Sequence, residues 1–185
     1  MADFNIRLAV ESDCDEIVRL RQELADYNKI SDKMEMTAEK LRRDGFGDRK
    51  CFQCLVVEDM IASASKDNAV LLGYALYFYT YSAKVGRVLF LEDIFVSAAH
   101  RGRGIGSKLF QDVAQVGVAQ GCQRMQWEAY AWNKPSIAFY KKRGAKNITD
   151  SESLHWFEIN GPKLEQLAKQ SFPAHLNRDV IADNR

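Results

Sequence analysis

Proline is scarce in this chain, 3 residues in 185, and no Pro/Gly/Ser-rich stretch interrupts it. That leaves no linker to divide it, so a single domain is expected. Cysteine is sparse as well. Cys14, Cys51, Cys54 and Cys122 are too few and too scattered for a secreted disulfide framework. Neither charge dominates, with 26 Lys+Arg against 25 Asp+Glu and a net of +1. A global basic field for nucleic acid or an anionic membrane is thereby excluded, and any anion site must be local. No apolar run approaches the roughly 20 residues of a membrane helix. The opening MADFNIRLAV lacks a basic stretch leading into an apolar one, so no signal peptide is expected. A cytoplasmic protein is the expectation, without nucleic-acid or membrane partners. Hydrophobic residues at 46% and charged residues at 28% are ordinary for a globular fold and exclude a disordered or fibrous chain.

What is present is a run of short, distinct patterns. Phe4, Ile6, Leu8 and Val10 alternate with other residues and predict an opening strand. Ser12 or Asp13 then offers an N-cap to a helix whose apolar positions are Cys14, Ile17, Val18, Leu24 and Ala25. A second helix is predicted from Thr37, anchored by Leu41 and broken at Gly45-Phe46-Gly47. Strand-like runs follow at Cys51–Glu58, Val70–Tyr81 and Arg87–Val96, with a loop over Met60–Ala69 and a hairpin connection over Ser82–Gly86. Leu109, Phe110, Val113, Ala114 and Gly117 then mark a helix stopped by Gly121. Met125–Trp132 reads as a strand, Ser136–Arg143 as a short helix and Leu154–Ile159 as a last strand. Pro162 suits the first residue of a C-terminal helix. Consecutive strands followed by strands alternating with helices indicate an α+β fold, a mixed α/β sandwich. Residues 1–170 form the expected domain and 171–185 a polar tail.

The chemistry concentrates in one segment. An apolar strand ending at Val96 leads through Arg101-Gly102-Arg103-Gly104-Ile105-Gly106 into a helix at Ser107-Lys108-Leu109. Glycines remove Cβ atoms where backbone must approach a ligand. The first N–H groups of a helix lack internal partners and face the positive end of its dipole, which suits a pyrophosphate. The spacing is neither Walker A nor the Rossmann fingerprint. A plain glycine turn before a helix has the same pattern.

Arg101-x-x-Gly104-x-Gly106 after an apolar strand resembles the acetyl-CoA motif of the GNAT superfamily of N-acetyltransferases. Trp132-Asn133-x-Pro135-Ser136-x-x-Phe139-Tyr140, continuing to Gly144-Ala145, resembles the second cofactor motif of that superfamily. Asn5-Ile6-Arg7, Asp44-Gly45-Phe46-Gly47, Phe78-x-Thr80-Tyr81 and Leu91-Glu92-Asp93 resemble its spermidine/spermine N-acetyltransferase group, which includes a thialysine-acetylating paralogue. The resemblance runs to about Leu167, apart from Met60–Ala69. It implies a central, mostly antiparallel sheet flanked by helices, acetyl-CoA as co-substrate, no metal and a homodimer. It implies that the backbone of Ile94, Phe95 and Val96 pairs with the pantetheine arm. Arg101, Gly102, Arg103, Gly104, Ile105, Gly106 and Ser107 would hold the pyrophosphate, with further cofactor contacts from Asn133 and Ser136. Tyr140 matches the tyrosine taken as general acid.

The implied reaction is direct attack of a primary amine on the thioester, without a covalent acyl-enzyme. An alkylammonium has an ordinary pKa near 10.4, so it must first lose a proton. Glu92 is the candidate to bind it and relay that proton. Taken alone, Glu92 also reads as a surface carboxylate on a half-exposed strand. In a regular strand its neighbour Asp93 would face the opposite side. Tyr140 would protonate the leaving thiolate, and a backbone N–H near Ile94 would polarise the carbonyl.

The expected acceptor is thialysine (S-aminoethyl-cysteine) or a lysine-like amine. Polyamine-acetylating members carry an acidic residue after the tyrosine matching Tyr27 and an aromatic residue at the position of Lys84; here these are Asn28 and Lys84. Losing a carboxylate and gaining a cation weakens attraction for a polycation, and Lys84 could pair with an amino-acid carboxylate. Equally, both could be solvated loop residues. Gln126, Trp127, Glu128 and Glu152 match positions near the substrate, though Trp127 fits a core position as well. Alternatives are a spermidine/spermine acetyltransferase, an enzyme acting on protein lysines, and a CoA-binding sensor without catalysis. Cys51-x-x-Cys54 lacks the second pair of a zinc site and opens a strand, so structural cysteines are expected. His100, His155 and His175 have no metal-ligand spacing.

Overall fold

The alternating opening residues form β1 (Phe4–Leu8), which pairs antiparallel with β2 (Gln53–Asp59). β2 pairs antiparallel with β3 (Leu71–Ser82), and β3 with β4 (Gly86–Val96). β5 (Arg124–Trp127) joins β4 in parallel, which makes five strands in sequence order among the described residues. This is a computed structural model, and it describes residues 3–65, 69–149, 159 and 161–168.

Two helices cover the sheet. α1 (Cys14–Asn28) lays Cys14, Ile17 and Leu20 on Val56, Tyr74, Leu76 and Phe95. α4 (Ile105–Ala119) follows the glycine segment, and its Gly117 lies against Leu89 and its Gly106 against Val96. Phe95 belongs to the cluster under α1, whereas its neighbour Val96 touches α4. Successive strand residues point to opposite faces, so α1 and α4 cover opposite sides of the sheet. α2 (Ala38–Phe46) begins as predicted, with the Thr37 side chain accepting from the N–H of Lys40 at 3.2 Å, and buries Leu41. Its Gly45 is required by packing: a Cβ there would stand 2.4 Å from Cζ of Phe52.

An ion-pair strut ties β1 to the start of α1. Arg7 donates to both carboxylate oxygens of Asp13, at 2.7 and 2.9 Å, and through Nε to Glu58 at 2.6 Å. Asp13, 3% exposed, also accepts from the N–H of Val10 at 2.8 Å. Asp13 thus serves the backbone ahead of the helix, and its side chain does not cap α1.

By internal contacts the chain divides into two units, Met1–Ile137 and Ala138–Arg185. The sheet and the helices named so far lie in the first. α5 (Lys134–Lys141) runs across the boundary. In the second unit, Arg143 donates to the Phe139 carbonyl at 2.9 Å and Gly144 adopts φ +84°, closing the helix. α6 (Gly161–Ala168) carries Pro162 as its second residue.

Two expectations change. The segment Met60–Ala69 is not all loop, because Met60–Ser63 forms α3, capped by Asp59, whose Oδ1 accepts from the N–H groups of Ile61 and Ala62 at 2.9 Å. The strand expected over Met125–Trp132 ends at Trp127, where pairing with β4 stops. The expected strand Leu154–Ile159, apart from Ile159, lies outside the described residues, as do Glu152, His155 and the tail 171–185. Cys14 and Cys54 are buried, and the four cysteines are free thiols. Among the described residues, no helix is long and apolar enough to cross a membrane, and no group of His, Cys, Asp and Glu is placed to hold a metal.

Candidate active site

β4 carries an irregularity at the residue chosen as base. Leu76 pairs with Asp93 and Tyr77 with Leu91, so Glu92 is the extra residue of a β-bulge. Phe90 pairs with Phe78 and Asp93 with Leu76. Phe78 and Leu76 are two apart and share a face, so Phe90 and Asp93 do too. Glu92 has no partner on β3, so the regular alternation that would set it opposite Asp93 does not run through this point.

The bulge also marks where the sheet opens. β5 pairs with β4 from Val88 to Leu91 and stops, while β4 continues to Val96. Among the described residues, no strand pairs with Ile94, Phe95 and Val96 on that edge. A pantetheine arm could use this stretch of backbone. The Val96 carbonyl is already engaged, accepting from Arg101 Nε at 2.9 Å.

The glycine segment builds the other wall. Gly102 and Gly104 both adopt φ +79°, and Gly104 is the N-cap of α4. A Cβ at either would meet no protein atom within 4 Å. The glycines are thus needed for backbone conformation, and the space above them is open to a ligand. The N–H groups of Ser107 and Lys108 already bond the Gly104 carbonyl, at 3.0 and 3.1 Å. Those of Ile105 and Gly106, earlier in the turn, are the ones a pyrophosphate would meet. Arg103 is drawn to Asp3 and to His100 Nδ1, the latter at 3.1 Å. The Arg101 guanidinium lies over the rings of Tyr27 and Phe95, 5.1 and 5.3 Å from their centroids.

Asn133 is buried at the start of α5. Its Oδ1 accepts from the Ser136 N–H at 3.3 Å, an N-cap, and from the Tyr27 hydroxyl at 3.4 Å. Tyr27 packs on Trp132 at 5.7 Å, and Trp132 stacks on Tyr130 at 5.9 Å. Tyr27 thus links α1, the glycine loop and the α5 cap. It was chosen as a substrate contact, and its hydroxyl is directed to Asn133.

Lost hydration is the main cause that raises the Glu92 carboxyl above its ordinary value, and the charge of Asp93 adds to it. Glu128 adds less, and Arg21 opposes. Asp93 accepts from Arg21 Nη1 and, at 3.1 Å, from the hydroxyl of the fully buried Tyr74. Tyr140 lies in the second unit, half-buried, and burial pushes its phenol above the usual value.

The structure brings Glu92 and Glu128 within electrostatic reach, and pairs Gln126 with Phe90 and Trp127 with Leu91. Trp127 packs edge-on against Phe110 at 5.3 Å, a core contact. Asn28 ends α1. Lys84 stands apart, in the turn before β4. Gly86 and Glu92 are six residues apart, and at ~3.3 Å per residue that is about 20 Å. Arg21 was missed. It follows Ile17 by one turn on the buried stripe of α1, and a cation there needs a partner, a signal legible in the sequence.

A sheet that parts at a bulge, beside a glycine loop opening a helix, exposes strand backbone next to an anion-binding helix start, which an acyl-CoA could use. A model of the Acetyltransferase (GNAT) family matches residues 17–145. Thialysine N-epsilon-acetyltransferase of Sus scrofa is 41% identical over 168 residues, 91% of this chain and 99% of that protein. Spermidine/spermine N(1)-acetyltransferase-like protein 1 of Homo sapiens is 39% identical over 89% of this chain and 24% of its own length. An integron cassette protein from the mobile metagenome of V. cholerae shares the fold with a TM-score of 0.70 at 24% identity, covering 92% of this chain and 100% of that one. The α+β sandwich with its mostly antiparallel sheet, and the match across more than two thirds of the chain, have one consequence: this protein belongs to the GNAT family of N-acetyltransferases, which use an acyl-CoA donor.

Proposed function

We propose that the chain transfers acetyl from acetyl-CoA to the side-chain amine of thialysine or of a similar lysine-like molecule. The observation that carries this is the 41% identity to the porcine thialysine enzyme over nearly all of both chains. Glu92 would bind the ammonium and take its proton, directly or through water. Its raised proton affinity narrows the gap to an amine. The neutral amine then attacks the thioester carbon. A backbone N–H by Ile94 would hold the developing oxyanion, and Tyr140 would give its proton to the departing thiolate. Ile94, Phe95 and Val96 would hold the pantetheine arm and residues 101–107 the pyrophosphate. Ser136 and Asn133 would contribute at the start of α5, Asn133 chiefly by fixing the cap.

The acceptor end is assigned to Tyr27, Asn28, Gln126, Trp127, Glu128 and Glu152, with Lys84. The turn that holds Lys84 is about 20 Å from Glu92 by strand rise, so Lys84 is assigned to the amine at Glu92 of a second chain. The homodimer implied by the resemblance is therefore part of the proposal.

A second reading, a diamine or polyamine acetyltransferase, draws on the 39% identity to the human spermidine/spermine-type protein. An acetyl-transfer assay with mass-spectrometric detection separates the two, using thialysine, lysine, putrescine, spermidine, spermine and a histone-tail peptide. Thialysine product above the polyamines is expected. Product mainly from spermidine overturns the acceptor assignment and leaves the enzyme class intact.

A further inference from the structure

We propose that Arg21 is a specificity-determining positioning residue: by compensating Asp93 beside the bulge, it limits the negative charge of the acceptor site and favours an amine with few positive charges over a polycation. This rests on the amine-acetylating reading above.

The geometry is local and unusual. The bulge sets two adjacent carboxylates, Glu92 and Asp93, where β4 slips its register against β3, and the charge of Asp93 acts on Glu92. Asp93 is committed away from solvent, its side chain 14% exposed, with Arg21 Nη1 and the Tyr74 hydroxyl both on Oδ2. Arg21 reaches this position from α1 at a cost, because its Nε is buried with no hydrogen-bond partner among the described residues. An apolar side chain would suit that stripe better for packing alone. What Arg21 adds is charge. Among the described residues, the charged groups acting on Glu92 are Asp93 on its own strand, Arg21 on α1 and Glu128 beyond β5. Tyr74 on β3 stays neutral, because burial holds its phenol well above the usual value. With Glu92 ionised, these groups sum to −2 with Arg21 and to −3 without it. A more negative cleft attracts spermidine more strongly than an amine bearing its own carboxylate. Removing Arg21 also strengthens the like-charge repulsion between Asp93 and Glu92, so Glu92 holds its proton to higher pH.

The test compares wild type with Arg21→Met and Arg21→Lys, measuring kcat/KM for spermidine and for thialysine across pH. In Arg21→Met the spermidine-to-thialysine ratio is expected to rise about three- to tenfold, the range a partly screened charge supplies. The acid limb of the thialysine profile should move up by about half a pH unit or more. Arg21→Lys, which keeps the charge, should restore both. A folded Arg21→Met with the wild-type ratio and limb overturns the proposal, as does failure of Arg21→Lys to restore them. If Arg21→Met does not fold, Asp93→Asn tests the reverse direction: ratio and limb should both fall, and no change overturns the proposal. If wild type acetylates no amine, the functional reading fails separately. The charge relationship is then read by NMR titration of the Glu92 carboxyl. A higher titration point in Arg21→Met supports it, and an unchanged one overturns it.

Discussion

Arg101 Nε donates to the Val96 carbonyl at 2.9 Å, five residues back along the chain. The bond folds the arginine over the end of β4, where its guanidinium covers Phe95 and Tyr27. The end of the strand and the start of the glycine loop are thereby held by one side chain. Its Nη groups are what it can offer a phosphate, and its planar body sets the shape of the wall.

Arg101→Lys tests that division of labour. Lysine keeps the charge but loses the flat group lying over two rings and the Nε donor. KM for acetyl-CoA is expected to rise about five- to tenfold with kcat little changed, a cost of ~1 kcal/mol or slightly more. Steady-state kinetics and CoA titration calorimetry read it. An unchanged KM would mean that charge alone matters at this position.

Gly104→Ala isolates the backbone. The N-cap φ of +79° is strained for any residue with a Cβ, although a Cβ there would clash with no protein atom. Stability should fall by about 1–2 kcal/mol through the left-handed conformation, measured by urea unfolding. KM for acetyl-CoA should rise about tenfold or more, while KM for the amine stays near wild type, because the methyl enters the space above the loop. Parallel loss of both substrates would point to general collapse instead.

Much of this was written in local chemistry. The start of α2 at Thr37 and the glycine loop depend on residues close in sequence, and both were legible; the break expected at Gly45-Phe46-Gly47 comes only at Gly47, because α2 runs on through Phe46. The bulge at Glu92 was not. Leu91-Glu92-Asp93-Ile94 reads as ordinary strand, and the irregularity exists only relative to the register of β3. The early end of β5 has the same cause, since pairing partners and not the run Met125–Trp132 decide where a strand stops. Asn133 was selected by motif, but its N-cap role depends on where α5 begins. The Arg7–Asp13–Glu58 strut spans 51 residues of sequence and leaves no local pattern. Lys84 was selected by resemblance as a substrate position, and strand rise puts the turn that holds it about 20 Å from Glu92.

Acceptor choice can be probed from both ends of that separation. Asn28→Glu adds a carboxylate at the end of α1, and Lys84→Trp removes a cation from the turn before β4. Both changes favour a polycation. Spermidine kcat/KM relative to thialysine is expected to rise about three- to tenfold in the double variant, roughly the effect of one or two partly screened charges. Lys84→Trp alone should act only where the protein is dimeric, so its effect should fade on dilution below the dimer dissociation constant. If the ratio stays at the wild-type value, both residues are solvated bystanders.

The pH profile tests the proposed acid and base together. Glu92 works as a base only when ionised, and its raised proton affinity delays ionisation. Activity should therefore be lost, as pH falls, at a higher pH than the ordinary carboxylate value near 4.3 implies. Glu92→Gln should remove this acid limb and lower kcat about 10²–10³-fold, without the change in acetyl-CoA binding that a folding defect would bring. Tyr140 works in the opposite sense. It must hold its proton until the thiolate leaves, and burial raises the phenol above its usual value near 10. The acid is thus available throughout the neutral range, and its loss appears only on the alkaline side. Tyr140→Phe should lower kcat about 10–10²-fold at neutral pH and remove any alkaline limb due to the phenol. Turnover by Tyr140→Phe equal to wild type at every pH would exclude Tyr140 as the acid and leave the thiolate to be protonated by water.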